Sequence, residues 1–120
     1  MKMYRGMSQS GWVYGGITED KNFIVSKFQF IPVDPNTVSE NTKIVDKNGV
    51  EVFEGDIIKF NHEDTGEKIG YVEYDSASCS FKFYKTGGIK TRNLSGSWIY
   101  RNCYEVIGNI FDNPELLKEE

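Results

Sequence analysis

A chain of 120 residues, 38% hydrophobic and 27% charged, has room for one domain with a small core and not for two. Its net charge of −4 argues against coating duplex DNA by bulk electrostatics. No apolar run is long enough for a bilayer span or a signal peptide, so a cytosolic protein without a membrane partner is expected. The 8 Phe, 7 Tyr and 2 Trp favour pleated, half-buried surfaces, and hence an all-β core.

In chain order, Trp12–Ile17 reads as a strand, Thr18–Asn22 as a polar turn, and Phe23–Ile31 as a second strand, together an N-terminal hairpin. Pro32 to Thr37 reads as a connector in which Asp34 caps a single helical turn begun by Pro35. Lys43–Val45 and Val50–Phe53 flank Asn48-Gly49, a pair suited to the positive φ angles of a tight hairpin. Glu54-Gly55-Asp56 then turns the chain into Ile57–Phe60. A polar loop is expected from Asn61 to Lys68, followed by strands at Ile69–Tyr74, Phe81–Tyr84 and Ile89–Leu94, the last two joined at Gly87-Gly88. Trp98–Tyr104 and Glu105–Phe111 complete the strands. Asn113 before Pro114 signals a short helix from Glu115 to Lys118, with Leu116 and Leu117 facing the barrel. The strands after Lys43 suit a small barrel with SH3-like elements.

Charge is distributed unevenly. Ser76 to Tyr104 contains no Asp or Glu but includes Lys82, Lys85, Lys90, Arg92 and Arg101. That segment carries +5, which leaves −9 on the rest of a chain whose total is −4. Within it, Phe81-Lys82-Phe83-Tyr84-Lys85 and Trp98-Ile99-Tyr100-Arg101 interleave rings with cations. Rings stack on bases and cations follow phosphates, so Lys82, Tyr84, Lys85, Arg92, Trp98 and Arg101 are the candidate macromolecule-binding residues. The same alternation is what an ordinary half-buried strand requires, with Phe81 and Phe83 on one face and Lys82 on the other. An acidic protein, or the acidic segments of a second copy, fits the same pattern.

Catalytic signals are weak. The single His62 lies in the acidic loop Asn61-His62-Glu63-Asp64, and no serine occupies a strand-turn-helix elbow. Asp46, Asn48 and Gly49 lack the alternating ligands of a calcium loop, since Val50 stands at the next position. Cys79 and Cys103 form no zinc spacing with His62 and are expected as free thiols. Asp56 with Glu73 or Asp75 offers an acid–base pair only where folding brings them together. No metal, cofactor or catalytic residue is assigned.

Tyr4-Arg5-Gly6 with Gly11-Trp12-Val13-Tyr14-Gly15, the run Asp46 to Phe60, and Glu105 to Leu117 together resemble the YopX family of phage and prophage proteins. The resemblance spans the chain and implies a single YopX-like domain in which residues 1–40 form the hairpin and connector, 41–112 the barrel, and 113–120 the helix and tail. It implies work in the bacterial cytoplasm and brings no established catalytic residues. Ser39 to Val45 departs from the Gly-Gln-Tyr-Thr-Gly-like run usual before the hairpin. The expectation is a non-enzymatic accessory protein that binds a host or phage macromolecule. The alternatives are a single-stranded nucleic-acid binder and a small enzyme acting on nucleotides or phosphates, and a homo-oligomer is compatible with each.

Overall fold

The computed structural model describes residues 3–62, 66–85, 89–93 and 103–117. The chain forms two compact units, Met1–Asn41 and Thr42–Glu120. In the first, β1 (Tyr4–Ser8), β2 (Gly11–Ile17), β3 (Phe23–Ser26), β4 (Gln29–Pro32) and the start of β5 (Asp34–Val45) lie in the order β4-β3-β2-β1-β5. All pairings are antiparallel. Only Val33 separates β4 from β5, so the sheet is strongly curled. Val33 lies where a Cβ on Gly6 would come within 3.0 Å of it.

Two expectations for this unit are corrected. Phe23–Ile31 is not one strand but two, because the chain reverses at Lys27 and Phe28 with φ of 46° and 68°. The sequence carries no turn signal there, since neither residue belongs to the Gly, Asn and Asp set that enters this region readily. The connector after Pro32 holds no helical turn and belongs to β5. Asp34 does accept a bond from the Asn36 N–H through its Oδ1 at 3.0 Å. The result is a bulge in the β1–β5 register between Arg5 and Met7. There the Thr37 hydroxyl accepts from the Met7 N–H at 2.8 Å and donates to the Asp34 carbonyl at 2.7 Å, replacing missing ladder bonds.

In the second unit β5 ends beside β6 (Glu51–Phe53), and β7 (Asp56–His62), β8 (Gly66–Asp75), β9 (Ser80–Lys85), β10 (Ile89–Asn93) and β11 (Tyr104–Asn109) form a sheet in the order β10-β9-β8-β7-β11. Strands β7 and β8 pair out to His62 and Gly66, so most of the expected 61–68 loop is ladder. The Gly87-Gly88 turn and residues 98–102 of the expected Trp98–Tyr104 strand lie outside the described residues, while Cys103 stands in a turn and Tyr104 opens β11.

Alternation along these strands delivers Val52, Ile58, Phe60, Val72, Phe83 and Tyr104 to one buried core, with Ile44, Phe81, Cys103 and Val106 packed against it. The Phe60 ring sits 5.4 Å from Tyr104 and 6.2 Å from Phe83. Each such side chain contributes about 1.5–3 kcal/mol on burial. Gly70 is required beneath Phe83, since a Cβ there would stand 2.6 Å from that ring and 2.2 Å from the Tyr84 carbonyl oxygen.

The two sheets are antiparallel and do not close into a barrel among the described residues. The expected C-terminal helix is a single 3-10 turn, Pro114–Leu117, with no buried residue. Its presumed cap works in the opposite direction: Asn113 Oδ1 accepts from the Asn109 N–H behind it, at 3.3 Å. The all-β class stands; the described residues form two antiparallel sheets with no closed barrel, and the C-terminal helix is reduced to the 3-10 turn.

Candidate binding surface

Asp46 is 2% exposed. Its Oδ1 accepts from the N–H groups of Asn48 and Val50, both at 2.9 Å, which organises the Asn48-Gly49 turn. Its Oδ2 accepts from the Val106 N–H at 2.9 Å, sixty residues along the chain. One carboxylate therefore builds the hairpin and fastens it to β11, with a parallel bond from the Lys47 N–H to the Tyr104 carbonyl at 3.0 Å.

The Glu54-Gly55-Asp56 turn is organised the same way. Asp56, also buried, accepts from the Phe53 N–H at 2.7 Å, and Glu54 accepts from the Tyr74 N–H at 3.1 Å. Gly55, at φ 88°, donates to Val72 and accepts from Ile110 through its backbone. Asn109 Oδ1 accepts from the N–H groups of Phe111 and Asp112, and its Nδ2 donates to Asp112. Gly108 leaves room for the returning Asn113 side chain, whose Oδ1 would lie 2.6 Å from an added Cβ.

Of the carboxylates weighed as an acid–base pair, Asp56 is buried and Glu73 exposed. Asp56 holds its turn, Glu73 is exposed opposite Lys82, and Asp75 accepts from the Ala77 N–H and the Ser78 hydroxyl. Cys79 is exposed and Cys103 half-buried, both as free thiols. Among the described residues, no group of three or more His, Cys, Asp and Glu side chains is placed to hold a metal ion.

Of the candidate binding residues whose side chains are described, Tyr84 is half-buried and Lys82 buried. On the face of β8 and β9 opposite the core, Tyr84 pairs with Tyr71, their rings stacked at 5.5 Å and 15°. Partial burial pushes the Tyr71 phenol above its ordinary 10.0, and the charge of Glu73 and the neighbouring Tyr84 add to this. Lys90 holds the register position opposite Tyr84 on β10. Lys82 takes the face opposite Phe81 and Phe83, as alternation requires, but is 9% exposed and not free in water. It stands directly across from Glu73, and a lysine in that position lays its apolar stem along neighbouring side chains. Lys85 and Arg92 occupy register positions on β9 and β10, where their side chains lie outside the described residues, as do Trp98 and Arg101 altogether.

Composition did not reveal a second aromatic surface, in the first unit. Phe28 is 104% exposed, Phe30 66% and Tyr14 50%. For Phe28 and Phe30 the reason is the turn at Lys27-Phe28, which a reading of Phe23–Ile31 as one strand leaves out.

The fold and these residues define a small all-β protein whose polar groups chiefly shape the backbone. The chain belongs to the YopX family: the family model described as YopX protein matches residues 6–118. Among solved structures, it is similar to the crystal structure of protein EF1440 from Enterococcus faecalis, with a TM-score of 0.54 and 22% identity over 98% of this chain and 99% of that one. That likeness is one of fold. No curated protein matches the chain. No helix among the described residues is long and apolar enough to cross a membrane.

Proposed function

We propose that this chain is a non-enzymatic accessory protein of phage or prophage origin that acts in the bacterial cytoplasm by binding a host or phage macromolecule. One observation carries the reading: the carboxylates of Asp46, Glu54 and Asp56 accept main-chain N–H bonds inside the fold, which gives them a structural occupation in place of a reactive one. The contact surface is the outer face of β8 to β10, where Tyr71 and Tyr84 offer a stacked aromatic pair and Lys90 holds the register position opposite Tyr84. The test is capture by the tagged protein from a lysate of its phage-infected host, with and without nuclease. A nuclease-resistant protein partner that is lost on Tyr84→Ala or on Lys90→Glu supports the reading. A partner retained by both variants counts against this surface.

The Tyr71–Tyr84 stack also favours a second reading, binding of single-stranded nucleic acid, because stacked rings beside cations form a platform for bases. Its signature is affinity for an unstructured oligonucleotide that falls steeply with salt and drops on Tyr84→Ala. Salt-insensitive or absent binding removes it.

A further inference from the structure

The outer strand of the first unit is β4, formed by a two-residue turn with both residues in the left-handed region. Its sequence, Gln29-Phe30-Ile31-Pro32, carries no charge, and Phe30 and the adjoining Phe28 are exposed. Turn geometry fixes which backbone groups point outward. Ser26 and Gln29 flank the turn and face each other, as do Ile24 and Ile31, so in the alternation of an antiparallel ladder Phe30 turns its N–H and C=O away from β3. The bond from the Val33 N–H to the Asn22 carbonyl, 3.0 Å, continues that alternation. Pro32 falls at another outward position, where its missing donor costs the sheet nothing.

We propose that β4 pairs antiparallel with β4 of a second copy of this chain, about a two-fold axis at Phe30. The pairing is self-complementary, as an isologous interface must be. Phe30 faces the partner's Phe30 and the two exchange both backbone bonds. Gln29 faces the partner's Ile31 on either side of the axis, and Phe28, in the turn at the end of β4, lies nearest the partner's Pro32. Pro32 is also one wall of an open groove of about 360 Å³ whose other walls are Met7, Ser8, Gln9, Val33 and Asp34. The register thus delivers the most exposed ring of one copy to a groove on the other.

Charge agrees with this occupant. In the first unit Lys2, Arg5, Lys21 and Lys27 balance Glu19, Asp20, Asp34 and Glu40, so 4 − 4 = 0 and two copies of it meet without net repulsion. The paired strands and two rings per copy make a small interface, consistent with micromolar or weaker dimerisation.

Sedimentation equilibrium of the full chain over a wide concentration range tests the pairing. The wild-type chain is expected to convert from monomer to dimer as concentration rises. Phe30→Lys and Phe30→Glu are each expected to stay monomeric, because the axis sets like charges face to face, and an equimolar mixture of the two should recover the dimer. Phe28→Gly should weaken the dimer at least tenfold while raising the melting temperature, since it removes the ring and relieves the left-handed backbone together. A chain that stays monomeric at every concentration overturns the proposal and leaves the edge to a strand from another protein. A dimer that persists in Phe30→Lys, or a mixture that stays monomeric, overturns it equally.

Discussion

Two hairpins of this protein reverse the chain by opposite means. Between β5 and β6 the turn is written locally: Gly49 takes φ 80°, nothing lies within 4 Å of where its Cβ would be, and Asp46 collects the turn's N–H groups. Between β3 and β4 the left-handed positions are held by Lys27 and Phe28, side chains that disfavour that region by roughly 1 kcal/mol or more each. The first turn follows from its own residues and helps to organise the sheet. The second is imposed by the strands on either side, whose pairs Ile24 with Ile31 and Val25 with Phe30 outweigh the local cost.

Replacing Asp46 should break the encoded hairpin most completely. Asp46→Ala leaves three N–H groups without their acceptor around a buried site, with an expected loss of about 3–4 kcal/mol in urea unfolding. A loss below about 1 kcal/mol would show that water or another group replaces the carboxylate. Next in size is Gly70→Ala, which sets a methyl against the Tyr84 carbonyl and the Phe83 ring and should cost roughly 2–3 kcal/mol by the same measurement. The two turns then give opposite signs. Gly49→Ala forces a Cβ into φ 80° and should cost about 1 kcal/mol, whereas Lys27→Gly removes one from φ 46° and should gain roughly 0.5 kcal/mol. Equal signs in the two melts would erase the distinction drawn between them.

The smallest effect concerns the β2–β3 turn, which like the Asp46 turn is organised by a carboxylate. Asp20 accepts from the Asn22 N–H at 3.0 Å and from the Thr18 hydroxyl at 2.7 Å, and the two bonds, the backbone one foremost, hold its carboxyl below the ordinary 3.8. A lowered value means that its slight stabilisation is present above pH 3.8 and is lost as pH falls through the folded-state value. The Asn22 amide resonance should titrate with a midpoint below 3.8, and Thr18→Val should move that midpoint upward. No movement would assign the shift to the backbone alone.

The sequence determined the all-β class because period-two alternation, as in Ile58 and Phe60 or Phe81 and Phe83, needs only neighbouring residues to declare a buried face. It also determined the turns built by Gly, Asn and Asp, whose chemistry is local, and with them the YopX membership. It named Tyr84 as a binding candidate but could not tell that Lys82 is buried, since burial depends on which strand lies alongside. Tertiary structure alone decided that Asp46 reaches Val106, that Tyr71 stacks on Tyr84, and that the chain reverses at Lys27 and Phe28. Each of these depends on strands distant in sequence, or on a local conformation stable only when long-range pairing offsets its cost, and neither is encoded in any single window of residues.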